Sequence, residues 1–592
     1  MPVCSINPAS EEYADFIVRH SGLTPEELYE TYQVPCLDYV NQEFVILYVP
    51  LQDILPVTLA KYTYNAIPTL YTLLDTTSME ASGILQTFNQ PALNLKGEGI
   101  IVGLIDTGIE YQNPLFRNSD GTTRILGIWD QTIPGPEAQE DEERGIPDES
   151  SADSFSYGRE FTQEQINAAL AAENPLELVP TTDTNGHGTF LAGIAAGGMT
   201  PDESFTGAAP ACQLGIVKLK PAKQYLREFY EIQDGAIAYQ ENDIMMGIKY
   251  LLRLANRLRM PLVILLGVGT NQGSHTGTSP LGLQIQNSSR YVGVVTVVAG
   301  GNETGLRHHY LGQMVQNQEY EDVEIRVAPG ESGFILELWG MEPELYSVGF
   351  VSPTGETIQR IPILLGREAR ISFTLEPTVI TTNYLLTESG SGSQLIFMRF
   401  QAPTAGVWRV RVYNTLFTTG RYHMWLPIQS FILDDTVFLK PNPDTTITEP
   451  GNSPFPITVS AYNHTNNSIY IHSSRGYSRD GTVKPDLAAP GVEVFGPGLQ
   501  PSGRSALLAD DSGTFPMTRK TGTSVAAAHV AGAVADLLNW GLIRGNDLTM
   551  NYATVKSRLI RGARRNPAYT YPNREWGYGT LDLYSSFTNL RE

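Results

Sequence analysis

Between Gly99 and about residue 303 the chain alternates short, uniformly apolar runs with longer helix-like text. In order these are IIVGLID, GTFLAGIAAG, QLGIVKLK, ENDIMMGIKYLLRLANRLR and PLVILLGV. A strand with one wet face alternates apolar and polar residues, whereas a strand covered on both faces reads as a continuous apolar run. Strands of that kind separated by helices form a parallel sheet with helices packed on both sides, because each parallel connection needs a crossover. This pattern fixes the fold class as α/β.

Two stretches depart from it. From 304 to about 440 only strand-like runs and turns occur, among them DVEIRVAPGESGFILELWG, ARISFTLEP, QLIFMRFQAPTAGVWRVRVYN and RYHMWLPI. They predict an inserted all-β unit, a sandwich or jelly roll. The α/β text then resumes with FPITVSAYN and the helix TSVAAAHVAGAVADLLNW. Residues 1–75 mix helix-like text (SEEYADFIVRH, TPEELYETY) with strand-like text (EFVILYVPL), a small α+β unit. The expected division is therefore 1–75, a core in two parts at 76–303 and 441–592, and a β-unit at 304–440. A chain of 592 residues accommodates three or four such units.

Three segments far apart in the chain put a reactive side chain where a strand or loop meets a helix. GIIVGLIDTGI ends an apolar strand at Asp106, DTNGHGTFLAGIAAG presents His187 between glycines at a helix start, and KTGTSVAAAHVAGAVA places Ser524 at the opening of an alanine-rich helix. A serine hydroxyl is a weak nucleophile until an imidazole takes its proton, and the imidazole needs a carboxylate to fix its tautomer and stabilise its charge. Attack on a peptide carbonyl creates an oxyanion. Asn302, after the apolar run in VGVVTVVAGGNETG, and the backbone N–H of Ser524 are the candidate donors. His529, embedded among alanines and valines, reads as a packing residue. His275 and Ser279 in GSHTGTSP form a decoy GTS without the alanine-rich helix. Asp106-Thr107-Gly108 and Asp511-Ser512-Gly513 superficially resemble the paired loops of aspartic proteases, which are all-β.

The order Asp, His, Ser and the text around each residue resemble the subtilisin family, over roughly residues 76–303 and 445–590. The resemblance implies a serine endopeptidase with Asp106, His187 and Ser524 as triad and Asn302 with Ser524 as oxyanion hole. It also implies that Leu265, Leu266, Gly267, Val268 and Gly300 line the substrate cleft. Ala528 stands where many subtilisins carry proline, and the LLGVG run lacks the commoner serine. The short N-terminal unit, the β-insertion between Asn302 and Ser524, and phrases such as ITEPGNSPFPITVSAYN are similar to the clostridial Csp germination proteases. That narrower resemblance implies a prodomain cut near Leu74, Asp75, Thr76 and Thr77 and retained in the cleft. It further implies a spore-associated enzyme that activates a cortex-hydrolase precursor, with a pseudoprotease or germination sensor as the alternative. No particular cofactor is implied, and a structural calcium ion is left open without an EF-hand loop or carboxylate cluster to hold it.

The formal charge of −23, from 40 Lys and Arg against 63 Asp and Glu, disfavours nucleic acid as a partner. Glu140, Asp141, Glu142 and Glu143, within the stretch Glu137 to Glu149, are expected in a solvated loop. Cys4, Cys36 and Cys212 are expected as free thiols in a reducing compartment. The N-terminus has no basic stretch followed by an apolar run, and no run of about 18 apolar residues predicts a membrane span. These features suggest an intracellular protein.

Overall fold

The computed structural model describes residues 4, 6–73, 80–135, 155–200, 205–364, 366–499 and 516–588. Its centre is a nine-stranded sheet whose middle is parallel. Strand Ile101–Asp106 pairs in parallel with Leu262–Leu266 on one side and Gln213–Lys218 on the other, and Leu262–Leu266 pairs onward with Val294–Ala299. Ile457–Asn463 extends the sheet beyond the β-insertion, in parallel with Val294–Ala299. All six residues of Ile101–Asp106, and all six of Val294–Ala299, are buried, as their uninterrupted apolar text requires. Antiparallel strands Arg159–Thr162 and Ser468–Ile469 edge the sheet.

Helix Thr523–Leu538 is buried at every residue and packs on strands of this sheet. Its alanines and Gly532 allow close approach: a Cβ on Gly532 would lie 2.3 Å from that of Ala208. With its continuation to Ile543 it is long and apolar enough to cross a membrane, but 83% of its apolar window is buried inside the protein. It is the core helix. On the other side of the sheet, Glu241–Leu258 buries Met245, Ile248 and Leu251 in a second core.

The β-stretch forms two antiparallel sheets. One has the order His309–Gln313, Arg421–Trp425, Gly333–Gly340, Leu395–Gln401, Val379–Leu385, Glu368–Ser372. The other runs Thr357–Ile358, Leu345–Val351, Gly406–Leu416, Tyr320–Val327, Val437–Phe438. Phe334, Leu336 and Phe400 from the first share one core with Val348, Phe350 and Trp408 from the second, so the sheets form a sandwich.

At the N-terminus, Tyr13–Arg19, Phe44–Pro50 and Cys36–Tyr39 form an antiparallel sheet with helix Pro25–Tyr32. Thr24 and Glu27 close a capping box on that helix, and Pro25 starts it. The text SEEYADFIVRH, expected as helix, is instead strand from Tyr13. Four consecutive residues of it are buried, so it lacks the alternation that marks a strand. The thiols of Cys4 and Cys36, expected free, are joined in a disulfide across a Cα–Cα distance of 4.8 Å. Cys212 is free and buried, and burial pushes its thiol up to about 12. The acidic stretch 137–149 lies outside the described residues.

Candidate active site

Asp106 ends its strand at the carboxyl edge of the parallel sheet, where α/β folds place their sites. Thr107 N–H donates to Asp106 Oδ1 at 2.8 Å, and the Nδ1 of His187 lies 2.8 Å from the same oxygen. On the other side of the ring, His187 Nε2 is 3.1 Å from Ser524 Oγ. With Nδ1 donating to the Asp106 carboxylate oxygen, Nε2 is the ring atom free to accept from Ser524 Oγ. All three side chains are buried: Asp106 and Ser524 are 0% exposed and His187 3%.

Several residues hold this line in place. His187 begins helix His187–Ala196, and Gly186 before it takes φ of +83°, a conformation glycine adopts without strain. Asp183 anchors the turn with four hydrogen bonds, accepting from Asn185 N–H and Gly186 N–H on one oxygen and from Thr189 N–H and Oγ1 on the other. Thr107 Oγ1 accepts from Gly188 N–H, tying the aspartate loop to the histidine helix. Sequence reasoning singled out neither Asp183 nor Thr107. The Asp-x-Asn-Gly spacing before His187 is the signal for the first, since aspartate side chains commonly bind backbone N–H groups two or three residues on.

Ser524 is the second residue of its helix, so its N–H has no intrahelical acceptor and points from the positive end of the helix dipole. Asn302 follows strand Val294–Ala299 through Gly300 and Gly301. Its Oδ1 accepts from Thr523 N–H at 3.1 Å, which leaves the amide nitrogen as the donating end. Gly301 N–H donates to Thr523 Oγ1. A Cβ on Gly301 would meet Thr448 Cγ2 at 2.6 Å, so the turn carrying Asn302 is packed to the backbone.

The five expected cleft residues divide. Leu265 and Leu266 are 0% exposed and belong to two different cores, one on each side of the sheet, because a central strand covered on both faces has no side chain left for the cleft. Gly267 abuts Asp106 and His187: a Cβ there would lie 3.0 Å from Asp106 Oδ2 and 3.1 Å from His187 Cε1. Val268–Gly269 pairs antiparallel with Leu73 and Thr72, and the far side of that segment pairs with Tyr239–Gln240. Strand Leu70–Leu73 of the N-terminal unit is thus held between two strands of the core, running toward Gly267. Gln272 Oε1 accepts from Leu70 N–H, and buried Glu241 accepts from Thr69. Burial pushes the Glu241 carboxyl up to about 7. Gly300 has its N–H on Val459 O and its carbonyl on Thr448 N–H. Leu74, Asp75, Thr76 and Thr77 lie outside the described residues.

The GTS decoy is structural, and Asp511, Ser512 and Gly513 of the second decoy lie outside the described residues. His275 stacks on Trp425 with ring centroids 3.9 Å apart, and Ser279 caps helix Pro280–Ser288. His529 places Nδ1 2.7 Å from Val525 O, and burial pushes its imidazole down to about 3. Ala528 is fully buried within its helix. Among the described residues no group of three or more His, Cys, Asp or Glu side chains could hold a metal ion.

The family model described as the subtilase family matches residues 97–328 and 434–579. The chain belongs to the subtilase family of serine proteases. Its structure is similar to that of the Clostridium perfringens CspB protease, with a TM-score of 0.71 and 30% identity over 86% of this chain and 97% of that one. Likeness to fervidolysin from Fervidobacterium pennivorans is weaker, with a TM-score of 0.47 and 14% identity over 97% of this chain and 61% of that one. MycP1 from Mycobacterium smegmatis gives a TM-score of 0.34 at 16% identity over 90% of this chain and 92% of that one. No curated protein sequence matches.

Proposed function

We propose that this subtilase is an endopeptidase that cuts its own chain between Leu74 and Thr77, keeps the N-terminal unit docked, and then activates a protein precursor. The single observation that carries the reading is the hydrogen-bonded line from Asp106 through His187 to Ser524, at 2.8 and 3.1 Å. In this mechanism Ser524 Oγ attacks the scissile carbonyl while His187 Nε2 takes its proton. Asp106 stabilises the imidazolium, and Asn302 with the Ser524 N–H binds the oxyanion. His187 then returns the proton to the leaving amine, and water repeats the sequence on the acyl-enzyme.

Strand Leu70–Leu73 supports the self-cutting step, because its direction carries the following residues toward Gly267 and the triad. Retention of the N-terminal unit is supported by its buried ties to the core. Lys223 pairs with Asp15 at 2.9 Å with both side chains 1% exposed, and Gln240 also bonds Asp15. The sequence resemblance to the clostridial Csp germination proteases, with the structural likeness to the CspB protease beside it, supports a spore-associated role in germination, with a cortex-hydrolase precursor as the substrate.

A second reading, a sensor or regulatory binding protein without turnover, is favoured by the 0% exposure of Ser524 beside a cleft already filled by the chain's own strand. Expression of the wild type beside Ser524→Ala separates the two. Intact mass spectrometry should find the wild type cut within 74–77 and the variant whole. A folded, uncut wild type would favour the second reading.

A further inference from the structure

The parallel strands Leu262–Leu266 and Val294–Ala299 have the triad at their carboxyl ends. Their amino ends, marked by Met260, Pro261 and Val294, open on a separate groove of about 780 Å³. Five residues of strand put it roughly 16 Å from the triad, at about 3.3 Å per residue. Its walls come from helix Glu241–Leu258, from helix Pro280–Ser288 and the turn after it, and from residues 39–41 of the N-terminal sheet.

Two features of the groove point to an occupant. The first is apolar exposure at one place: adjacent Tyr291 and Val292 are 62% and 56% exposed, beside Met260. The second is charge. Lys249, Arg253 and Arg259 line the groove and no carboxylate does, on a chain with 63 acidic residues against 40 basic. Glu160 reaches Arg253 and Arg257 without entering the lining, and Lys249 donates to Tyr39 O. A nucleic acid, charged at every phosphate, would run past the groove's three cations onto a molecule carrying −23, whereas a short segment ends within the groove; a basic segment would meet the cations themselves. An acidic segment carrying aliphatic or aromatic side chains matches both the charge and the exposed rim.

We infer that this groove is a docking site for an acidic, apolar-bearing segment of a partner protein. Such a partner is held at the pole opposite the triad, so docking leaves the cleft unobstructed. Because residues 39–41 form one wall, the site is complete only while the N-terminal unit stays in place.

The test uses the full chain carrying Ser524→Ala, so that the probe is not cut, and a fluorescein-labelled peptide of repeated Asp-Glu-Leu-Phe followed by anisotropy. Saturable binding is expected, with no binding of a Lys-Arg-Leu-Phe counterpart. Arg259→Glu and, separately, Val292→Ser should each weaken binding by about tenfold or more, the size expected of a central contact. Both positions are exposed, and unchanged thermal melting confirms the variants are folded. Absence of saturable binding, or binding by both variants at wild-type strength, would overturn the inference. Binding that emerges only after deletion of residues 137–149 would also overturn it, by making the groove a seat for the chain's own acidic stretch.

Discussion

Gly267→Ala should impair the enzyme without unfolding it. A methyl at this position would sit 2.6 Å from Leu191 Cδ1, 3.0 Å from Asp106 Oδ2 and 3.1 Å from His187 Cε1. Carbon atoms in contact settle at about 3.5–4.0 Å, so Leu191 must retreat by roughly 1 Å and the imidazole by about 0.4 Å. Leu191 can move by rotating its side chain. His187 is held at both ends, by Asp106 at 2.8 Å and by Ser524 at 3.1 Å, so its shift lengthens one of those bonds. Overpacking of this size costs about 1–3 kcal/mol, and a misplacement near 1 Å costs about a hundredfold in rate, so a loss of roughly ten- to a hundredfold in kcat is expected. KM for an extended peptide should change little, because the added methyl meets Leu191, Asp106 and His187 and not the backbone of Val268–Gly269. The assay combines peptide-anilide hydrolysis, the time course of self-cleavage by intact mass, and thermal melting. A variant with kcat within about twofold of wild type would refute the placement of Gly267 against the triad.

Asn302→Ala removes the side-chain donor proposed for the oxyanion and should lower kcat by about 10²–10³ with KM nearly unchanged, a magnitude that was itself measured in a subtilisin. Asp183→Asn turns one of its two accepting oxygens into a donor facing N–H groups; with bonds to a charged group worth about 1.5–3 kcal/mol, melting temperature and kcat should both fall while KM holds. Burial pushes the Glu241 and Glu449 carboxyls up to about 7 from 4.5, so each contributes stability that is full below pH 4.5 and lost as pH rises through 7. His275, pushed down to about 4 from 6.5, contributes stability that is full above pH 6.5 and lost as pH falls through 4. Denaturant midpoints at pH 5 and pH 8 should therefore show a smaller decline for a Glu241→Gln, Glu449→Gln double variant than for wild type.

The parallel core was legible because burial on both faces writes itself as continuous apolar text, and the catalytic candidates because each sits at a strand or helix end with a glycine within two residues. The same physics hid other features. Tyr13–Arg19 is buried over four consecutive residues and follows Glu11 and Glu12, which imitate the acidic first turn of a helix. Its partner strand Phe44–Pro50 lies some thirty residues on, beyond any local window. The pairing of Cys4 with Cys36 depends on where that sheet brings the chain, which spacing alone does not give. Leu265 and Leu266 were expected in the cleft, yet a strand offers side chains only to its two faces, and here both are core. What this segment offers a neighbouring strand is the backbone of Val268–Gly269, which pairs with Thr72 and Leu73.

The wall beyond Val268–Gly269 is the part least predictable from local sequence. The run from Thr270 to Ser279 has no ladder of its own, so its backbone N–H groups need acceptors from elsewhere. Gly273 N–H finds Glu337 in the sandwich, Gly277 N–H finds Glu449, and Leu281 N–H finds Glu241. Glu337 also accepts from Tyr64 in the N-terminal unit, and Trp425 in the sandwich supplies the surface on which His275 stacks. One segment of the cleft is therefore shaped by all three parts of the chain. Excising the sandwich would leave the Gly273 N–H without its buried acceptor, at about 1–3 kcal/mol, and would expose the ring of His275. The sandwich is thus part of the cleft's construction, and a chain lacking residues 304–440 should lose the ordered wall that holds Leu70 through Gln272, rather than revert to a simpler working protease.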